Sequence, residues 1–163
     1  MLEDRGLFFQ RVSGRTGVFV AVDYGTRKLG FAISDEGRQV AFPKDVLIGD
    51  WRDFDTVFNT ISEYVSNFNT CGIVLGWPKK MDGTLHENCE IILKIAKKLT
   101  EKFPVLLADE RFTTQATYAV ERFERQKFGS KNKIKFKEKN DDARAAAIIL
   151  NEVLDGLNRG QSA

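Results

Sequence analysis

Val18-Phe-Val-Ala-Val-Asp23-Tyr-Gly-Thr-Arg-Lys-Leu-Gly30-Phe-Ala-Ile-Ser34 is the segment from which the architecture can be worked out. Its first six residues are an apolar run that closes on a carboxylate, the pattern of a buried strand entering a turn. A second apolar run, Gly30 to Ser34, follows after a short polar break. Asp35-Glu-Gly37 then marks another turn, and Arg38-Gln-Val-Ala-Phe42 alternates polar and apolar positions. Three strands joined by short turns predict an antiparallel meander.

Beyond the meander the period changes. Phe54, Val57, Phe58, Ile61, Val65 and Phe68 are spaced for one face of a helix over about Asp53 to Phe68. Gly72-Ile-Val-Leu-Gly76 reads as a strand buried on both faces, ended by Trp77-Pro78 and a turn at Met81 to Thr84. A second helix carries Leu85, Cys89, Ile92, Ala96 and Leu99 on one stripe, with Lys94, Lys97 and Lys98 off it. Val105-Leu-Leu-Ala-Asp109 is another buried strand, followed by Glu110. Thr113 or Thr114 caps a third helix with Ala116, Ala119, Val120 and Phe123 inward. Gly129 to Lys139 reads as a basic loop, and Asp141 or Asp142 caps a last helix with Ala145, Ala146, Ile149, Leu150, Val153 and Leu157 inward.

The expected order is βββ-α-β-α-β-α-α. Strand–helix–strand alternation in the second half predicts parallel neighbours. The expectation is an α/β fold: a mixed five-stranded sheet, with a three-stranded antiparallel meander and two parallel strands, flanked by helices. No repeat or linker divides it, so residues 18–157 are read as one domain, between an N-terminal extension at 1–17 and a tail at 158–163.

Composition excludes several classes of function. The chain has 163 residues, 42% of them hydrophobic, enough for a core that needs no staple. Cys71 and Cys89 are the two cysteines and show no metal-binding or disulfide spacing. His86 is the single histidine, which argues against a zinc site and against a Ser-His or Cys-His nucleophile. No apolar run is long enough for a signal peptide or a bilayer span, so a cytoplasmic protein without membrane association is expected. Net charge is +2, yet residues 122–139 hold eight Lys or Arg against two acids. That segment alone exceeds the charge of the whole chain, as a polyanion-binding surface requires.

Three acids stand at element ends. Asp23 closes the first strand, Glu110 follows the last, and Asp142 opens the final helix. Singly, each is an ordinary turn residue or cap. In a mixed sheet with a central first strand, parallel strands place their C-terminal ends on one rim, where Asp23 and Glu110 converge. The last helix joins them if its N-terminus packs beside that rim. Converging carboxylates repel unless a cation sits between them, and an all-oxygen set suits Mg²⁺ or Mn²⁺. Two such ions about 3.5–4 Å apart serve phosphodiester hydrolysis.

The flanking sequence resembles the YqgF/RuvX family, the Holliday-junction-resolvase-like or pre-16S rRNA nucleases. Asp23-Tyr-Gly-Thr-Arg-Lys-Leu-Gly30 is similar to its D-x-G-x-(K/R)-x-x-G segment, and Gly76-Trp-Pro78 with Met81-Asp-Gly83 to its G-L-P…M-D-G loop. Asp109-Glu-Arg-Phe-Thr-Thr114 resembles D-E-R-(L/F)-T-T, and Asp142-Ala-Arg-Ala-Ala-Ala-Ile-Ile-Leu150 resembles D-x-x-A-A-x-x-I-L. The four motifs occur in family order over about Val18 to Leu157. The resemblance implies an RNase H-like fold, with Asp23, Glu110 and Asp142 as the metal-binding catalytic acids. The Ala-Ala spacing favours Asp142, leaving Asp141 as a plain cap. It also implies processing of precursor 16S rRNA in ribosome biogenesis.

Gly25 permits a tight turn directly after Asp23, and Gly30 permits close approach of another backbone. Gly76, Pro78 and Gly83 belong to the resembled loop. Arg27 and Arg111 are candidate phosphate contacts; Lys28 is weighed with them, though ordinary surface charge accounts for it better. Lys79 and Lys80 depart from the family pattern and add charge near the rim. Lys131, Lys133, Lys135, Lys137 and Lys139 alternate with Ile134 and Phe136, a source of salt-sensitive affinity for nucleic acid.

The favoured expectation is a divalent-metal-dependent nuclease acting on structured nucleic acid, with precursor RNA ahead of four-way DNA. Ribosomal precursor particles are the expected setting, and the protein is expected to be a monomer or weak homodimer. A Holliday junction resolvase is the alternative and would require a symmetric dimer. A non-catalytic nucleic-acid-binding factor is an alternative of another class, disfavoured because acids near phosphates weaken binding. An actin- or sugar-kinase-like ATPase is suggested by Asp23-x-Gly-Thr alone, without a second phosphate motif or second domain.

Overall fold

The computed structural model describes residues 4–77, 89–109 and 142–160. These residues form, in chain order, α1 (Arg5–Val12), β1 (Val18–Tyr24), β2 (Lys28–Ser34), β3 (Ala41–Ile48), α2 (Phe54–Ser66), β4 (Thr70–Trp77), α3 (Cys89–Leu99), β5 (Val105–Asp109) and α4 (142–160). The expected helix around Ala116 to Phe123, the basic loop from Gly129 to Lys139, and Leu85 lie outside the described residues.

The five strands make one sheet in the order β3-β2-β1-β4-β5. β1 is antiparallel to β2 and parallel to β4, β2 is antiparallel to β3, and β4 is parallel to β5. The mixed sheet with its meander and two parallel additions is therefore as expected. β1 lies at the centre because its apolar run Phe19 to Val22 is buried on both faces.

Two hydrophobic clusters divide the core. Val20 and Val22 of β1 face α2 and α3, packing with Val57, Ile61, Val65, Ile92 and Ile95. Phe19 and Ala21, one residue out of phase, face α1 and α4 with Phe8, Val12, Ala146 and Leu150. A sheet covered by helices on both faces is the α/β solution to burying two apolar faces.

Local chemistry sets the element ends. Asp53 caps α2, its carboxylate accepting from the Thr56 amide at 3.1 Å. β3 begins at Ala41 rather than at Arg38. Asp35 Oδ1 accepts from the amides of Gln39 at 2.8 Å and Val40 at 3.1 Å, drawing those residues into the β2–β3 turn. Arg38 completes that turn in the left-handed region at φ 55°. β3 forms an edge of the sheet and carries Pro43 beside a bulge between Phe31 and Ala32, where a missing amide donor is tolerated.

The expected N-terminal extension contains a helix that the sequence pattern did not disclose. Asp4 caps α1 by accepting from the Leu7 amide at 2.7 Å. Phe8 and Val12 are then buried against Phe19 and α4, and Arg5 reaches Glu152 at 3.8 Å. α4 is also buried more widely than one stripe: Ala143, Ala147, Ile148 and Leu154 are covered, whereas Ala145 is half-buried.

Candidate active site

Asp23 takes its direction from the alternation of β1. Phe19 and Ala21 face α4, so Asp23, at the same parity, projects from that face and is half-buried. Its partner across the β1–β2 ladder is Gly30. The first turn of α4 rests on that glycine. A Cβ built on Gly30 would overlap the carbonyl of Asp142 and stand 2.7 Å from the Ala143 amide nitrogen. Asp23 and Asp142 are thus brought to neighbouring positions through a residue that has no side chain.

α4 is fixed in this pose along its length. Asn151, only 3% exposed, accepts from the Ala41 amide and donates to the Ala41 carbonyl, both at 3.0 Å. Its Nδ2 also donates to Ala147 O at 3.0 Å, and Asn158 Nδ2 donates to Arg38 O at 3.2 Å. The C-terminal half of α4 therefore lies over the β2–β3 turn, and its N-terminus points to the end of the sheet where β1 finishes. Half-buried Asp142 opens α4 at that end.

The β1–β2 hairpin forms the adjoining rim. Gly25 N donates to Lys28 O at 3.0 Å, and a Cβ on Gly25 would stand 3.0 Å from that oxygen. Thr26, Arg27 and Lys28 are exposed at the tip. Gly76 is buried on β4, paired with Ala108 of β5. Trp77 and Asp109 form the last described rung between β4 and β5.

Glu110, Arg111, Asp141, Pro78, Lys79, Lys80 and Gly83 lie outside the described residues, as do Lys131, Lys133, Lys135, Lys137 and Lys139. Among the described residues no group of three His, Cys, Asp or Glu side chains converges as a metal site. Two carboxylates of the expected triad are described, Asp23 and Asp142, and their oxygen-only chemistry fits a hard divalent cation.

One part of the rim was not foreseen. The segment after β3 is stitched to the hairpin tip: Gly49 N donates to Arg27 O at 3.0 Å and Trp51 N to Thr26 O at 2.9 Å. Tyr24 Oη donates to Trp51 O at 2.7 Å, and Trp51 Nε1 to Leu47 O at 3.1 Å. Burial, then the nearby Asp50 charge, push the Tyr24 phenol upward. Asp50 itself is held at about 2, because Arg52 binds both of its oxygens at 2.8 Å. A Gly49-Asp-Trp51 turn is visible in the sequence, but its attachment to the hairpin depends on strand pairing.

Comparison with known proteins gives a consistent picture. The profile of the RuvX family, described as Holliday junction resolvase, matches residues 17–156. A Rickettsia bellii protein with the provisional name pre-16S rRNA nuclease is 34% identical over 153 residues, covering 93% of this chain and 94% of its own. A Rickettsia felis protein of the same provisional name is 35% identical over 142 residues, covering 86% and 87%. Among solved structures, Fowlpox virus resolvase with Holliday junction DNA matches with a TM-score of 0.58 at 16% identity, over 86% of this chain and 98% of that one. Thermus thermophilus RuvC with a Holliday junction substrate matches at 0.56 and 16%, over 90% and 97%. These two likenesses speak for the fold, which is the RNase H-like one expected from the motifs.

Proposed function

The chain belongs to the RuvX family, and from that membership we propose a nuclease that hydrolyses phosphodiester bonds of structured nucleic acid with a divalent metal. Precursor 16S rRNA is the favoured substrate, because relatives about a third identical over most of their length carry that name. The observation that carries the reading is the packing of the Asp142 backbone on Gly30, directly across the ladder from Asp23.

Asp23 and Asp142 are the proposed metal ligands, with Glu110, the residue after β5, as the third. Mg²⁺ or Mn²⁺ bound there supplies a Lewis acid for the attacking water and the leaving oxygen. Asp23 is oriented by the central strand and Asp142 by the first turn of α4, so both carboxylates are placed before substrate arrives. Arg27 on the exposed hairpin tip is a proposed phosphate contact, together with Arg111, Lys79 and Lys80. Lys131, Lys133, Lys135, Lys137 and Lys139 add affinity that weakens with salt. No helix among the described residues is long and apolar enough to cross a membrane, and action on a ribosomal precursor would take place in the cytoplasm.

The test is cleavage of a labelled pre-16S rRNA fragment, single-stranded DNA and a four-way DNA junction with Mg²⁺ or Mn²⁺. Wild type is compared with Asp23→Asn, Glu110→Gln and Asp142→Asn, with binding followed by anisotropy. The expected outcome is metal-dependent cutting of the RNA, lost in all three variants while binding persists. Binding without cutting in wild type would replace the enzyme with a binding factor. Paired cuts in the junction by a dimer would move the substrate to DNA.

A further inference from the structure

The rim beside Asp23 carries an apolar side chain in an unfavourable place. Ile48, the last residue of β3, is 80% exposed, whereas Leu7, the other exposed large hydrophobic residue among those described, is 43% exposed. Single exposed apolar residues are common, so the position of Ile48 matters more than its exposure.

Ile48 pairs with Lys28, and two residues along the same ladder Val46 pairs with Gly30, the cross-strand partner of Asp23. Directly opposed residues share a face. Ile48, Lys28, Val46 and Asp23 therefore project from one face of the sheet, the face on which α4 begins at Gly30. Ile48 stands beyond the N-terminus of α4, because the helix runs from Gly30 toward Ala41 and Arg38 at the opposite end. Two strand spacings across and two residues along place its Cα about 12 Å from that of Asp23. That is about three to four base steps at roughly 3.4 Å of axial rise each.

The mounting is rigid. The hydrogen bonds from Gly49 N to Arg27 O and from Trp51 N to Thr26 O fix the chain immediately after Ile48. Trp51, 8% exposed, lies against Gly49, where a Cβ would stand 2.8 Å from Cζ2. A β-branched side chain adds its own stiffness at χ1. The surroundings are cationic: Arg27 and Lys28 are exposed, and the Arg52 side chain is 70% exposed. Of the acids there, Asp50 is engaged by the Arg52 guanidinium and Asp53 caps α2 through Thr56.

We propose that Ile48 is a wedge that inserts between adjacent bases of the bound nucleic acid a few steps from the cleaved bond, while Arg27 and Lys28 hold the neighbouring phosphates. This rests on the nuclease reading above. A stiff apolar side chain presented among cations unstacks one base step and bends the strand toward the carboxylates. It thereby selects substrates with a deformable step at that distance.

The experiment uses an RNA hairpin with 2-aminopurine at successive positions on either side of the cut, bound without divalent metal. Emission and anisotropy are followed for wild type, Ile48→Ser, Ile48→Phe and Leu7→Ser. Wild type and Leu7→Ser are expected to raise emission several-fold at one position. Ile48→Ser loses that rise with affinity reduced less than about tenfold, and Ile48→Phe restores it. With Mg²⁺, Ile48→Ser lowers kcat/KM and broadens the set of cut positions. An emission rise that survives Ile48→Ser, or binding and cutting with no responsive position, overturns the wedge and leaves the nuclease reading intact. A wild type that neither binds nor cuts the hairpin overturns both.

Discussion

Gly30 and Asp142 are in backbone contact: the first turn of α4 occupies the space that any side chain at position 30 would fill. Because Gly30 is also the ladder partner of Asp23, this contact sets the separation of two proposed metal ligands. Gly30→Ala must push α4 away from β2. It is expected to cost about 1–3 kcal/mol in equilibrium unfolding, the range for overpacking, and to reduce metal-dependent cleavage by far more than the loss of folded protein explains. Gly37→Ala, whose Cβ would meet nothing nearer than 3.4 Å, should change stability by less than about 0.5 kcal/mol. Equal activity in both variants would show that α4 tolerates displacement.

Phe8 gives the second prediction. It is fully buried, with its ring centroid 5.6 Å from that of Phe19. Phe8→Ala should destabilise by about 3–5 kcal/mol, a large share of the 5–15 kcal/mol or so available to a domain. Leu7→Ala, one residue earlier and exposed, should cost less than about 0.5 kcal/mol. Urea unfolding of the two variants measures the contrast. Similar midpoints would mean that α1 is an appendage and no part of the core.

Asn151 serves both polar groups of Ala41 from within the apolar cluster. Asn151→Ala leaves that amide and carbonyl buried without their partner, at about 1–3 kcal/mol for each. The variant should lose about 2–5 kcal/mol in unfolding. Amide exchange at Ala41 should accelerate more than at Val22 in the central strand. Uniform acceleration would indicate global destabilisation without local opening.

Tyr64 predicts a pH dependence. Its hydroxyl donates to Asp45 Oδ2 at 2.6 Å while its ring stacks on Phe31 at 3.8 Å. Burial, then the Asp45 hydrogen bond and charge, raise the phenol above its ordinary value of 10.0. The fold therefore keeps a proton that the unfolded chain releases. Stability from this group is complete below pH 10 and declines as pH rises beyond it. Tyr64→Phe should cost about 1 kcal/mol at neutral pH through the lost hydrogen bond. It should also flatten the alkaline limb of the stability profile. Tyr24, shifted in the same direction, keeps that limb from vanishing. An unchanged alkaline slope would mean that Tyr64 ionises as readily in the fold as outside it.

Much of the framework was legible without coordinates. The unbroken apolar run Val18 to Val22 and the helical spacing of Val57, Ile61 and Val65 report local burial directly, since a strand covered on both faces is apolar throughout and a helix repeats its direction every 3.6 residues. The carboxylate at the end of the first strand was legible for the same reason. The start of β3 was not, because Asp35 recruits the Gln39 and Val40 amides into a turn that competes with the strand. Nor was α1: it is short, and its burial depends on the aromatic surface offered by Phe19 and α4.

The sequence by itself therefore determined the five strands, the meander, the helices α2, α3 and α4, and the placing of Asp23 and Asp142 at element ends, all governed by near neighbours in the chain. Only the tertiary structure decided that the Asp142 backbone packs on Gly30, the ladder partner of Asp23. Asp23 and Asp142 become neighbours because Asn151 anchors α4 to Ala41, 110 residues away in sequence, and because Gly30 leaves room for the helix to close on the central strand. The exposed rim of Ile48, Arg27 and Lys28 belongs to the same class of fact, since it exists only once β2 and β3 pair in register. Such contacts depend on packing between distant segments, and local periodicity carries no information about them.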